Sequence, residues 1–180
     1  YSFEQALLAA QTLLPESGQS ALLIGADEGH AKFSPLLDPS VAEGTLADGG
    51  GALYVSRDRR HARCLTRLAF YGRGGGDDLL ERMIKTLGGS ATIREKTAAV
   101  FAGIPAAIFT EGNRQLTRFF DLIGKPIPAC RYRDFTGEFA SASAVAAAIA
   151  VAFVEAGYLP GVLVGGKDVT LCPGDTLLVL

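Results

Sequence analysis

The chain predicts an α/β fold, and two observations support that prediction. Hydrophobic residues make up 48% of its 180 residues, which is enough for a substantial buried core. Segments with a helical period alternate with short apolar runs that glycine or proline residues interrupt. This alternation favours a layered structure in which helices pack on a sheet.

The N-terminal part predicts a helix and then a strand. Apolar residues recur at helical spacing over residues 3–14, and proline and glycine end the pattern within residues 15–18. Residues 21–24 form a short apolar run that is typical of a buried parallel strand. Asp27 and Glu28 follow at its C-terminal end, where such a pair either touches a ligand site or forms a solvated turn.

The middle of the chain contains weaker signals. Residues 33–46 have no dominant period and predict irregular structure, and residues 72–76 predict a flexible link. Strands are predicted at residues 52–56 and 64–71, and the polar turn between them favours an antiparallel pair. Asp77 is a predicted N-cap for a helix over residues 77–87. Two short apolar pieces follow at residues 97–101 and 106–109, and the second of them is strand-like. A helix is predicted at residues 113–123 and an extended piece at residues 127–132.

The most distinctive segment is residues 141–155, a helix almost without polar residues. Its many alanines let other elements approach closely, which is typical of a central helix covered on more than one side. The apolar run at residues 142–153 is shorter than the roughly 20 residues that a bilayer span needs, so no membrane span is predicted. Residues 161–164 and 176–180 predict two closing strands.

Composition excludes several classes of function. The formal net charge of −2 provides no basic excess that would attract nucleic acid or an anionic membrane. The three cysteines, Cys64, Cys130 and Cys172, are widely separated, which favours inert thiols in a reduced, cytoplasmic protein. No metal-ligand spacing occurs, and the glycines at residues 49–51 lack the Gly-Lys-Ser/Thr ending of a phosphate loop. We therefore predict no metal and no cofactor.

Residues 133–149 (RDFTGEFASASAVAAAI) resemble a stretch that closes the catalytic site of the β-ketoacyl synthases. In that family the stretch reads Lys-Ser-x-Thr-Gly-His and continues into a helix rich in glycine and alanine. Thr136 and Gly137 match the Thr-Gly pair, whereas Arg133 replaces the lysine and Glu138 replaces the histidine.

Two upstream segments extend the resemblance. Residues 47–53, which include Asp48, Gly49 and Gly51, resemble the family's Gly-Glu-Gly-Ala-Gly segment and the strand after it. Residues 21–28 resemble the strand that follows the family's nucleophile helix. The order and spacing of the three segments agree with the family over nearly the whole chain.

The resemblance implies a thiolase-like fold with αβαβα layers. Residues 1–46 would end the N-terminal half, and residues 47–180 would form the C-terminal half, a mixed five-stranded sheet flanked by helices. The family's cysteine nucleophile would fall at or before Tyr1, and the chain opens without an initiator methionine. If the chain is half of the usual fold, the helix at residues 141–155 should leave an apolar face that a partner or a missing half covers.

The resemblance also locates the two catalytic histidines of the family, and both positions differ here. The second is Glu138, and the first corresponds to Glu111 or Asn113 in a loop after a strand. An ionised carboxylate would repel the enolate that condensation forms. Two like charges about 4 Å apart at an effective dielectric of ~20 cost ~4 kcal/mol, or roughly three orders of magnitude in rate. Alternatively, Glu138 is a structural carboxylate at the N-terminus of the following helix.

Three functional hypotheses follow. In the first, the chain is a β-ketoacyl synthase-like subunit, similar to a chain-length factor, that does not condense alone. It would form a homodimer or a heterodimer with an active synthase subunit. It would handle acyl carrier protein or acyl thioesters in fatty-acid-like or polyketide assembly. In the second, it is an active acyltransferase whose nucleophile lies upstream of Tyr1. In the third, it is an unrelated α/β domain that binds a small ligand.

Overall fold

The computed structural model describes residues 2–14, 19–30, 32, 46–58, 60, 64–66, 68–70 and 77–180. Within them the chain is a mixed α/β protein whose parallel sheet is flanked by helices. The helices are α1 (Ser2–Leu13), α2 (Asp77–Thr86), α3 (Gly89–Lys96), α4 (Phe109–Ile123), α5 (Arg133–Thr136) and α6 (Ala142–Ala156). The strands are β1 (Ser20–Asp27), β2 (Gly49–Ser56), β3 (Thr97–Ala102), β4 (Ala129–Arg131), β5 (Tyr158–Leu159), β6 (Val169–Thr170) and β7 (Thr176–Val179).

The parallel sheet has the order β4-β3-β7, with β3 in the centre. Successive side chains of a strand point to opposite faces, and both faces of β3 are buried. Ala99 and Phe101 pack towards α6, whereas Val100 and Ala102 pack towards α2, α3 and α4. A strand covered on both faces must be apolar, which explains the composition of residues 98–102.

A second sheet consists of β1 and β2, which pair antiparallel along their whole length. Its inner face carries Leu23 and Leu53, which pack on α1 and on Ala144 of α6. The close approach of β2 to α6 depends on glycine, because a Cβ atom on Gly51 would overlap the backbone of Ala144. Glycine at position 25 serves the same purpose, since a Cβ atom there would lie 2.6 Å from the Ala144 Cβ.

Helix α6 therefore lies between the two sheets, with α1 beside it. The prediction of a central helix at residues 141–155 is confirmed. None of its large apolar side chains is exposed, so the expected uncovered apolar face does not lie on α6. It lies on the outer face of the β1–β2 sheet, where Leu22, Ile24 and Tyr54 are exposed.

Several sequence predictions are confirmed: α1, α2 and β7 form where the patterns placed them. Residues 97–101, predicted only as a short apolar piece, belong to strand β3. Others are wrong. Strand β1 is antiparallel with alternating burial rather than parallel and buried. The described residues 64–66 and 68–70 are not a strand, and β2 pairs with β1 instead. Residues 161–163 form a 3-10 turn in place of a strand.

The expected mixed five-stranded sheet also differs from what is observed. Among the described residues the strands form three sheets, namely β1–β2, β4-β3-β7 and β5–β6. The predicted boundary between residues 46 and 47 falls between two strands of one antiparallel pair, and it stays a prediction. The irregular segment predicted at residues 33–46 is described only at residue 46, and the link at residues 72–76 lies outside the described part of the chain.

In the described part of the chain, no helix combines the length and apolar character that crossing a membrane would require.

Candidate functional site

The three segments that carry the family resemblance meet in space. Leu46 and Glu138 form an isolated parallel bridge, in which the Ala47 N–H donates to the Glu138 carbonyl at 3.2 Å. Gly49 faces the ring of Phe139 so closely that a Cβ atom would overlap it. The start of β2 is thus fixed against the chain that enters α6.

Two aspartates hold the turns around this junction. The Ala140 N–H donates to the Asp27 carboxylate at 2.7 Å, and the Gly29 N–H donates to Asp48 Oδ1. Asp27 therefore contacts the chain that enters α6, and a ligand site at this strand end stays a prediction. Glu28 is exposed. Gly49 and Gly51 lie within β2, so their role is close packing.

Glu138 lies at the centre of the junction and is buried. Its Oε2 accepts a hydrogen bond from Arg133 Nη1 at 2.7 Å. Its Oε1 accepts one from the Ala106 N–H at 3.0 Å. The two side chains of the ion pair are only 6% and 11% exposed for Glu138 and Arg133. Both carboxylate oxygens therefore have a donor from this chain.

The local sequence explains how Glu138 reaches Arg133. Residues 133–136 form the single turn α5, and the Thr136 hydroxyl donates to the Tyr132 carbonyl at 3.1 Å. Gly137 then adopts a φ of 83°, a conformation that glycine reaches without steric cost. This reversal brings residue 138 back over the first residue of the turn. Thr136 and Gly137 thus form the Thr-Gly turn that the sequence predicted.

The Ala106 N–H belongs to the 3-10 turn Ala106–Ile108, which runs directly into α4. A carboxylate at a helix N-terminus is favoured by the partial positive charge of the free N–H groups. Glu138 therefore stabilises a helix start, as the structural alternative proposed, but at α4 rather than at α6. At α6, the N-cap Ser141 makes no side-chain cap, and the carboxylate nearby is Asp27.

Glu111 and Asn113 occupy a different setting. The sequence predicted a strand-like piece at residues 106–109, and the resemblance placed residues 109–113 in a loop, but these residues form the 3-10 turn and the start of α4. Glu111 is exposed and accepts hydrogen bonds from Arg114 and Gln115 at 2.8 Å. The Arg114 guanidinium, with help from Gln115, lowers the pKa of the Glu111 carboxyl to about 2. Asn113 is half-buried on the same helix.

Sequence reasoning missed two contributors to the junction. Ala106 contributes only a backbone N–H, so no side-chain pattern could reveal it. Tyr132 is buried, with its hydroxyl packed against Gly103, and burial raises the pKa of its phenol. The short extended piece predicted at residues 127–132 was the available signal for Tyr132.

The three cysteines differ in burial, and Cys130 packs in the same apolar cluster as Tyr132 and Phe139. Cys130 lies in β4 and is buried, and burial, with the nearby Asp134 carboxylate, raises the pKa of its thiol to about 11. Cys64 is half-buried and Cys172 is exposed. Across the residues that the structure describes, no three His, Cys, Asp or Glu side chains are grouped as metal ligands would be.

Comparison of the chain with protein-family models, with curated proteins and with solved structures finds no match.

Proposed function

We propose that this chain is a β-ketoacyl synthase-like subunit that does not condense alone. It would act with an active synthase partner in fatty-acid-like or polyketide assembly, in the cytoplasm, on acyl chains carried by acyl carrier protein. One observation carries the proposal: at the position that resembles the second catalytic histidine, Glu138 is a buried carboxylate held by Arg133 and by the Ala106 N–H.

The layering of the chain supports the scaffold part of this proposal. The small-residue helix α6 lies between two sheets and beside α1. A central helical layer between two sheets is what the resemblance to the thiolase fold implies. Three segments were linked only by their resemblance to the family's sequence, and in the structure they contact one another. They lie around Asp27, around Asp48 to Gly51 and around Arg133 to Ala144.

The chemistry of Glu138 supports the absence of condensation. Decarboxylation of a malonyl thioester places negative charge on the thioester oxygen, and catalysis needs hydrogen-bond donors there. An ionised carboxylate only accepts hydrogen bonds. Both Glu138 oxygens already accept from Arg133 and Ala106, so the side chain offers no donor to that oxygen.

The test is a condensation assay with acyl- and malonyl-acyl carrier protein. We expect no product from the purified chain alone, and a change in product length or rate when an active synthase subunit is added. Robust condensation by the chain alone would overturn the proposal. The acyltransferase alternative predicts an acyl adduct on a form of the protein that extends upstream of Tyr1, and intact-mass measurement of that form after incubation with the acyl donor tests it.

A further inference from the structure

The donors around Glu138 form a receptor for a carboxylate. Arg133 contributes a guanidinium group, which is always charged and pairs well with carboxylates. Ala106 contributes a backbone N–H at the turn that leads into α4. The two donors contact different oxygens of one carboxylate, at 2.7 and 3.0 Å. Nothing in this arrangement requires that the carboxylate be covalently attached to residue 138.

We propose that Glu138 is an internal ligand that occupies a binding site for small monocarboxylates, built from the Arg133 guanidinium and the Ala106 N–H. The attachment of Glu138 to the chain gives its carboxylate a high effective concentration, so a free carboxylate does not displace it from the native protein. Glu138 therefore occupies the anion site of its own chain and prevents a free carboxylate from binding there. This inference does not depend on the proposed function, because it concerns binding alone.

The burial of the pair supports this inference. Arg133 is almost fully buried, and its Nε has no hydrogen-bond partner among the described residues. A buried guanidinium without a counter-ion is strongly unfavourable. When Glu138 is removed, the Arg133 charge therefore provides a driving force to take up another anion.

The shape of the site predicts which anion fits. Replacing glutamate by alanine keeps the Cβ atom and removes a CH2–COO⁻ group, which has the size of acetate. The Glu138→Ala variant should therefore bind acetate or formate and exclude benzoate, whose ring exceeds the vacated volume. A chloride ion has the charge but cannot accept from both donors in the geometry of a carboxylate.

The experiment measures unfolding of the full chain carrying Glu138→Ala, in acetate, formate, benzoate or chloride at one ionic strength and pH. We expect acetate and formate to raise the unfolding midpoint in a saturable way. At an acetate concentration about nine times its Kd, the unfolding equilibrium constant should fall about tenfold. Line broadening of ¹³C-acetate in NMR spectra should show the same saturation.

Two controls make the result specific. The double variant Arg133→Met with Glu138→Ala lacks the guanidinium and should lose the acetate effect. Glu111→Ala removes an exposed carboxylate paired with Arg114, and it should show no preference for acetate over chloride, because its arginine stays hydrated.

Each outcome of these experiments either supports the inference or contradicts it. If Glu138→Ala folds only when acetate is present during refolding, the inference is supported. If the variant remains unfolded in every anion, or responds equally to acetate and chloride, the inference is wrong. An acetate effect that persists without the Arg133 guanidinium also overturns it. None of these readouts uses condensation, so their failure is distinguishable from failure of the proposed function.

Discussion

Glu138 and Glu111 are both candidates for the positions where the family resemblance expects catalytic histidines, Glu111 as an alternative to Asn113, and each pairs with an arginine. Their surroundings are opposite. The Glu138 and Arg133 side chains are 6% and 11% exposed, whereas those of Glu111 and Arg114 are 46% and 60% exposed. The partners of Glu111 lie three and four residues along its own helix. Glu138 contacts Ala106, which is 32 residues away.

The comparison shows that the contribution of an ion pair to the free energy of unfolding depends on its burial. An exposed pair within one helix gains little, because water already solvates both charges. A buried pair is expensive to form and far more expensive to break, since removal of one partner leaves the other charge uncompensated. The Glu138 pair also joins the chain before α6 to the start of α4, so it connects two layers of the fold.

The largest expected effect tests this contrast directly. Glu138→Ala should lower the free energy of unfolding by about 3–5 kcal/mol in chloride buffer, because Arg133 is left buried and unpaired. The measurement is urea denaturation followed by circular dichroism. Glu111→Ala is the matched control and should shift the midpoint far less. Equal losses in the two variants would contradict the contrast.

A double-mutant cycle on the buried pair should show strong coupling. Arg133→Met and Glu138→Gln should each destabilise the protein, and together they should cost less than the sum, by about 1–3 kcal/mol. The physical reason is that the double variant contains no unpaired buried charge, while the introduced glutamine amide still accepts from the Ala106 N–H. The same cycle on Arg114 and Glu111 should give a much smaller coupling. Additive losses at the buried pair would show that the two side chains act independently.

The contrast between buried and exposed groups extends to the thiols. The pKa of Cys130 rises from 9.0 to about 11 on folding, so above pH 9 the unfolded chain loses a proton that the folded chain keeps. Stability should therefore be fully present below pH 9 and fall as pH rises from about 9 to 11. Unfolding free energies measured across this range should fall less steeply for Cys130→Ala than for the native chain.

The smallest expected effect concerns Glu111. Its pKa is about 2 in the folded chain against an ordinary value of 4.5, so its contribution to stability is present above pH 4.5 and is lost as pH falls towards 2. The native chain and Glu111→Gln should therefore differ slightly at pH 6 and converge near pH 2. Thermal unfolding at low salt, where screening is weakest, is the measurement. A difference that grows on acidification would contradict the assignment of Arg114 as its cause.

The parts of the fold that were predictable have strong local signals. The helical period placed α1 and α2, and the small-residue composition of α6 indicated a central helix. The failures are short apolar runs, such as residues 106–109 and 161–164. Such runs suit a strand, a 3-10 turn or a helix start equally well, and only packing selects among them. The pairing of β1 with β2 was missed because strand partners are not encoded locally.

The candidate site was predictable in its residues but not in its geometry. Arg133, Thr136, Gly137 and Glu138 were singled out from the sequence, and the Thr-Gly turn forms as expected. Glu111 was misplaced onto a loop because its helix begins a turn earlier than its apolar pattern indicates. Ala106 could not be found at all, since a backbone donor has no side-chain signature.

The sequence by itself determined the α/β class and the small-residue helix, and it singled out Glu138 and Glu111 as candidate site residues. Only the tertiary structure decided what those carboxylates do. Glu138 and Glu111 have the same functional group, and each lies beside an arginine in the sequence or in space. Burial distinguishes them, because a carboxylate removed from water must find donors within the chain, and Arg133 and Ala106 provide them. Which segments come together to exclude water is a property of the whole fold.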